Sequence, residues 1–141
     1  MSSKREEIMT ALVDSLTGIT GVSDSSVFRS RVSALTRQEF PAVLVEPVSE
    51  TASRGATNHI DWSLTVSILV MVRAAIPDQA ADLIITSVHS KIMSDLTLDG
   101  LVIELVPQSV DWQIEEADLD LGVARLSYLI RYQTSQNDIT V

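Results

Sequence analysis

Ile60, Trp62, Leu64, Val66, Ile68, Val70 and Val72 take every second position of the run IDWSLTVSILVMV. Successive side chains of an extended chain point to opposite faces, so this spacing predicts a strand with one continuous apolar face. At about 3.3 Å per residue the run is roughly 40 Å long, more than a small core needs. The other face begins polar, with Asp61, Ser63, Thr65 and Ser67, and turns apolar at Leu69 and Met71. One end of the strand is therefore expected to be covered on both sides. The other end reaches into solvent or a partner.

The flanking segments supply helices and further strands. Ser3 followed by Glu6 is a capping-box pattern, and Ile8, Met9, Leu12, Val13 and Leu16 share a helical face, so residues 3–16 are predicted helical. Residues 77–96 open with Pro77 and carry Ala81, Ile84, Ile85, Val88, Ile92 and Leu96 as an apolar stripe, which predicts a second helix. DSSVFRSRV reads as a short strand and AVLVEP as a buried strand closed by Pro47, with a helical turn between them. VSETASRGATNH, residues 48–59, is polar and small and reads as a long loop that orders against a partner. Two strands close the chain. In the first, the apolar parity switches across Pro107, which predicts a bulge. The second carries Leu126, Tyr128, Ile130 and Tyr132 on one face, and residues 134–141 read as a flexible tail.

Adjacent strands with two helices predict one α+β domain over residues 1–141. The expected form is a mainly antiparallel, mixed sheet with both helices on one face and a long protruding strand or hairpin. A hydrophobic fraction of 45% can fill its core, so the chain is not read as disordered.

Composition excludes much chemistry. The formal net charge of -9 opposes binding to a phosphate backbone, and 4% aromatics leave few platforms for stacking bases. Without cysteine there is no disulfide, thiolate site or thiol nucleophile. No phosphate loop, nucleophile elbow or paired-histidine metal motif occurs, so neither cofactor nor metal is expected. His59 falls in the polar segment and His89 at the edge of the second helix's stripe; both read as structural or solvated. The acidic turn with Glu115, Glu116, Asp118 and Asp120 lacks the closing glutamate of a calcium loop, since Leu129 stands there. It reads as a solvated tip, or as an acidic face toward a neighbour or passing DNA. No segment has the length or continuity of a bilayer span or a secretory signal, and the reading is a soluble intracellular product.

VFRSRVSALTRQEFPAVLV places Arg29, Arg31 and Arg37 together in an acidic protein. They read either as ordinary surface charges or as one half of a contact with acidic groups on a second copy.

Four blocks in this order resemble the tail terminator proteins of long-tailed bacteriophages, the group containing the lambda minor tail protein U. They are VFRSRVSALTRQEFPAVLVEPVSE, HIDWSLTVSILVMVRA, DQAADLIITSVHSKIMSDLTLDG and VDWQIEEADLDLGVARLSYLIRYQT. The resemblance implies a structural virion protein rather than an enzyme. It implies a hexameric ring that caps the growing tail tube, stops its polymerisation and forms the joining surface for the head-side connector. Its partners would be other copies of itself, the tail tube protein and a neck protein, with DNA passing through unbound and no membrane involved. The location would be the virion tail, after synthesis in the host cytoplasm. A ring needs a patch that meets a different patch on the next subunit. Arg29, Arg31 and Arg37 are then candidates for one side, with Glu46, Glu50 or the acidic turn for the other, and Arg54 is a further interface candidate. Glu115, Glu116, Asp118 and Asp120 are candidates for the lumen or an interface. A head-closure ring or tube-like subunit is the nearest rival; a small enzyme or ligand-binding domain is more distant, because no convergent polar pocket can be named.

Overall fold

The computed structural model describes residues 2–31, 33–116 and 120–141. Its elements are helix α1 (Lys4–Ser15), strand β1 (Val27–Arg29), β2 (Ala42–Arg54), β3 (His59–Ala74), helix α2 (Pro77–Met93), β4 (Glu104–Glu115) and β5 (Asp120–Ser135). The five strands form one sheet in the order β1-β2-β3-β5-β4, parallel between β1 and β2 and antiparallel elsewhere. This is the expected α+β architecture.

The period-two run is the middle of the sheet. β3 pairs with β5 along its whole length, from His59 opposite Ser135 to Ala74 opposite Asp120, and with β2 from Ile60 to Met71. Leu64, Val66, Ile68, Val70 and Val72 face the helices and are buried. They meet Ile8, Met9 and Leu12 of α1, Ala81, Ile84, Val88 and Ile92 of α2, and Leu126, Tyr128 and Ile130 of β5 in one cluster. Burying each large apolar side chain contributes about 1.5–3 kcal/mol before entropy is subtracted. On the other face Leu69 and Met71 are half-buried, but so are Asp61, Ser63 and Thr65, and Ser67 is buried, so the expected division of that face into an open polar end and a covered apolar end is not seen.

Ser3 caps α1 by accepting from the Glu6 N–H at 3.2 Å. The reciprocal arm of the expected capping box is absent, because the Glu6 carboxylate is turned to Arg29. α2 ends at Met93 rather than at residue 96, and Leu96 is exposed.

Two further expectations fail. Pro47 does not close its strand, and residues 48–59 are not a long loop. β2 runs on through Arg54, and only residues 55–58 turn the chain into β3. Two facts let Pro47 sit inside a strand. β1 stops pairing at Val45, so among the described residues no strand pairs with β2 at Pro47 on that side. The register also shifts between Pro47 and Ser49, which absorbs the missing N–H. At the C-terminus, Thr134 and Ser135 are paired in β5, the Lys4 N–H donates to the Ile139 carbonyl at 2.8 Å, and the Ser135 N–H donates to the Val141 carbonyl at 2.7 Å.

The expected irregularity at Pro107 is present, with the register shifting between Pro107 and Ser109. Both shifts fall on a Pro-x-Ser triplet, and each reverses which residues face the helices. Before the shift in β2, Val43 and Val45 point inward; after it, Glu50 stands opposite Leu64 and points inward too. In β4 the shift turns Val110, Trp112 and Ile114 to the helix side, opposite Leu126, Ala124 and Gly122.

Gly122 lies where α2 starts against the sheet. A Cβ there would stand 2.5 Å from the Pro77 Cβ and 3.3 Å from the Val72 Cγ2. Gly122→Ala is expected to cost about 1–3 kcal/mol by overpacking. Val66→Asp, which puts a charge at a fully buried position, is expected to cost more than about 4 kcal/mol. Urea unfolding monitored by circular dichroism checks both, and a wild-type midpoint for either variant would contradict this packing.

Candidate functional site

The arginine-rich segment is braced within the chain. The Arg29 guanidinium at the end of β1 donates to both oxygens of Glu6 on α1, at 2.7 and 2.6 Å. Arg31 lies 4.5 Å from the centroid of the Phe28 ring and grips both oxygens of Glu39, one at 2.9 Å. It also donates to the Ala34 carbonyl at 3.0 Å. Glu39 belongs to a single 3-10 turn, Arg37–Glu39, and accepts from the Thr36 N–H in a full capping box. Two of the three arginines therefore tie β1 to α1 and shape the connection into β2. Arg37 is exposed and has no salt bridge among the described residues.

The acidic candidates are also engaged. Glu46 lies on the helix-free face, 3.6 Å from Arg125, which donates to the Ser67 hydroxyl at 3.1 Å. Glu50, turned inward by the bulge, accepts from the Tyr132 hydroxyl at 2.9 Å and from Arg5 at 3.3 Å. Its Oε2 is buried with no hydrogen-bond partner among the described residues. Burial first, and then the Glu50 carboxylate, push the Tyr132 phenol well above its usual range. Trp62 stacks on Tyr132 at 6.3 Å and donates its indole N–H to the Thr134 hydroxyl at 2.8 Å. This cluster anchors the base of the β2–β3 hairpin beside the start of α1. Arg54 is exposed near the hairpin tip.

At the opposite end of the sheet, Glu115 closes β4, Glu116 follows it exposed, and Asp120 opens β5. Asp118 lies outside the described residues. Among the described residues no cluster of three or more His, Asp or Glu could hold a metal ion. His89 shares a 2.9 Å hydrogen bond with the Tyr128 hydroxyl, a link that joins α2 to β5. His59 donates from Nδ1 to the Thr57 carbonyl at 2.9 Å within the hairpin turn.

Two surfaces went unnoticed in the sequence. The first is a row on the edge strand β4: Val110, Trp112 and Ile114 are 49%, 46% and 54% exposed although they face the helix side. Trp112 and Ile114 form an open groove with Asp78, Gln79 and Asp82 of α2. The second is a cavity of about 530 Å³ on the other flank of α2, walled by Phe40, Pro41, Leu83 and Ile84 and by Arg37 and Arg73. Arg73 stacks over the Phe40 ring at 4.9 Å. Among the described residues the cavity wall carries no His, Asp or Glu to act as acid or base. The alternation of Val110, Trp112 and Ile114 was legible, but their exposure depends on how far α2 covers β4, which no local pattern encodes.

The ion pairs set an acid response. The Arg31 guanidinium first, and then the Thr36 N–H, hold the Glu39 carboxyl down at about 2, below its ordinary 4.5. Arg29 lowers Glu6 in the same way. A depressed carboxyl adds stability above its unfolded value and loses it as pH falls through its folded value. Glu39→Gln is therefore expected to melt lower than wild type near neutral pH, by a small margin because the pair is surface-exposed and screened by salt. The difference should shrink between about pH 4.5 and 2. Calorimetry across that range checks it, and a gap that stayed constant down to pH 2 would contradict the pairing.

No curated protein sequence matches the chain. A solved chain from the virion of a native gene transfer agent particle shares its fold, with a TM-score of 0.53 over 90% of this chain and 95% of that one, at 10% identity. At that identity the likeness is one of fold. The family model for phage minor tail protein U matches residues 3–132. Nearly the whole sheet and both helices fall within that span, and the chain belongs to the phage minor tail protein U family, the tail terminators, which are structural proteins of the virion tail.

Proposed function

We propose that the protein assembles as a hexameric ring on the head-proximal end of the tail tube, where it stops tube growth and offers the joining surface for the neck. The observation that carries this reading is the family match across residues 3–132. The fold supports it through features suited to assembly: an apolar row on an open edge strand, and a hairpin projecting beyond the core. Residues 51–54 and 56–59 are exposed on that hairpin. Its backbone is paired between β2 and β3 and its turn is fixed by short hydrogen bonds, such as Gln136 N–H to the Asn58 carbonyl at 2.8 Å. A preformed hairpin docks with little ordering cost. We assign it to the tube, with Arg54 as a polar contact.

Among the charged candidates, Arg37 is the arginine offered for subunit contact, since Arg29 and Arg31 already hold carboxylates in their own chain. Glu46 and Glu50 would act indirectly, by fixing the strands around them. We assign the acidic candidates Glu115, Glu116 and Asp120 to the lumen or the subunit boundary. With a formal net charge of -9, a ring of such chains repels the DNA that passes through it.

Purified tube protein polymerising alone should give tubes of uncontrolled length, and added terminator should stop their growth. Replacing residues 53–61 by a two-residue Asn-Gly turn, which keeps Ala52 opposite Trp62, should leave melting within a few degrees of wild type and abolish this arrest. Electron microscopy of tube lengths decides: unchanged lengths with the intact protein would sink the capping reading, and full arrest by the shortened variant would remove the hairpin from it.

A further inference from the structure

We infer that the groove at Trp112 and the cavity at Arg37 are the two halves of one subunit contact, so that each copy inserts the Trp112 edge of β4 into the cavity of the next. The inference rests on the ring reading above and names the surfaces that reading leaves open.

Four observations point to a second copy as the occupant. First, β4 pairs with β5 alone among the described strands, so its outer edge presents backbone groups to a partner. Second, both patches are apolar and open. Trp112 and Ile114 are about half exposed on one, and Leu83 is 69% exposed on the other. Clustered exposure of this kind marks a protein contact rather than scattered surface apolar residues. Third, the charges match. Asp78 and Asp82 flank Trp112 and Ile114, while Arg37 and Arg73 flank the cavity. Opposite charges at the rim set orientation and speed encounter, while the apolar centre supplies affinity.

The fourth observation is placement. Asp78, Gln79 and Asp82 line the groove, whereas Ala80, Leu83 and Ile84 line the cavity, so the two patches occupy opposite flanks of α2. A contact between different patches is head-to-tail and propagates around a ring. The cavity's volume, about 530 Å³, suits an aromatic side chain with its neighbour. Trp is also the residue type most enriched among dominant interface contacts.

The test uses two singly blocked variants of the full chain, Trp112→Glu and Leu83→Glu. Both side chains are exposed, so both variants should keep the wild-type circular dichroism spectrum and melt within a few degrees of it. Native mass spectrometry, with and without tube ends, reads assembly. Each variant alone should need a concentration roughly thirtyfold higher or more to form rings, the loss typical of a dominant contact. Mixed in equal amounts, they should form a one-to-one heterodimer and nothing larger, because one good groove meets one good cavity. Rings from either variant at wild-type concentration, or a mixture that stays monomeric, would overturn this contact while leaving the ring reading in place. A wild-type protein that forms no ring either free or on tube ends would overturn the ring reading and this contact with it.

Discussion

The fold depends on β3 being hydrogen-bonded on both sides. Its neighbours β2 and β5 hold it from Ile60 to Met71, and β5 alone extends that pairing at both ends. A strand paired twice has no freedom to slip, because a shift of one residue would turn Leu64, Val66, Ile68 and Val70 away from the helices. The positions of α1 and α2 follow from this fixed apolar stripe. So does the projection of the β2–β3 hairpin, since a strand of sixteen residues outruns the helices that cover it.

The surfaces available for assembly come from breaks in that regularity. At Pro47 and Pro107 the ladder loses a donor, the register shifts, and the facing of the strand reverses. In β2 the reversal brings Glu50 inward, where Tyr132 and Arg5 hold it and stiffen the hairpin's base. In β4 it brings Val110, Trp112 and Ile114 to a side that α2 leaves uncovered. The same device thus serves an internal purpose in one strand and presents an outward surface in the other.

The parts legible in the sequence were those with a local period or a local stereochemical cause. The alternation of β3, the stripes of α1 and α2 and the Pro107 bulge are of this kind. The continuation of β2 past Pro47 was not, for two reasons. Thr51, Ala52 and Ser53 carry no apolar alternation, and their strand character comes from pairing with Ser63, Trp62 and Asp61. Pro47 also looks like a terminator unless one knows that β1 has already ended beside it. The arginine cluster showed the same limit. Its composition was visible, but Glu6 and Glu39 became its partners only through tertiary approach and a local cap. Function was legible through the order of blocks rather than any motif, as befits a protein that works by recognition of surfaces.

The proposed function is one of place: the protein would terminate the tube and form no part of its length. Cryo-electron microscopy of intact particles with this protein labelled tests that most directly. The expected result is density for a single ring at the head-proximal end of each tail. Label repeating along the tube, or confined to the distal tip, would contradict it.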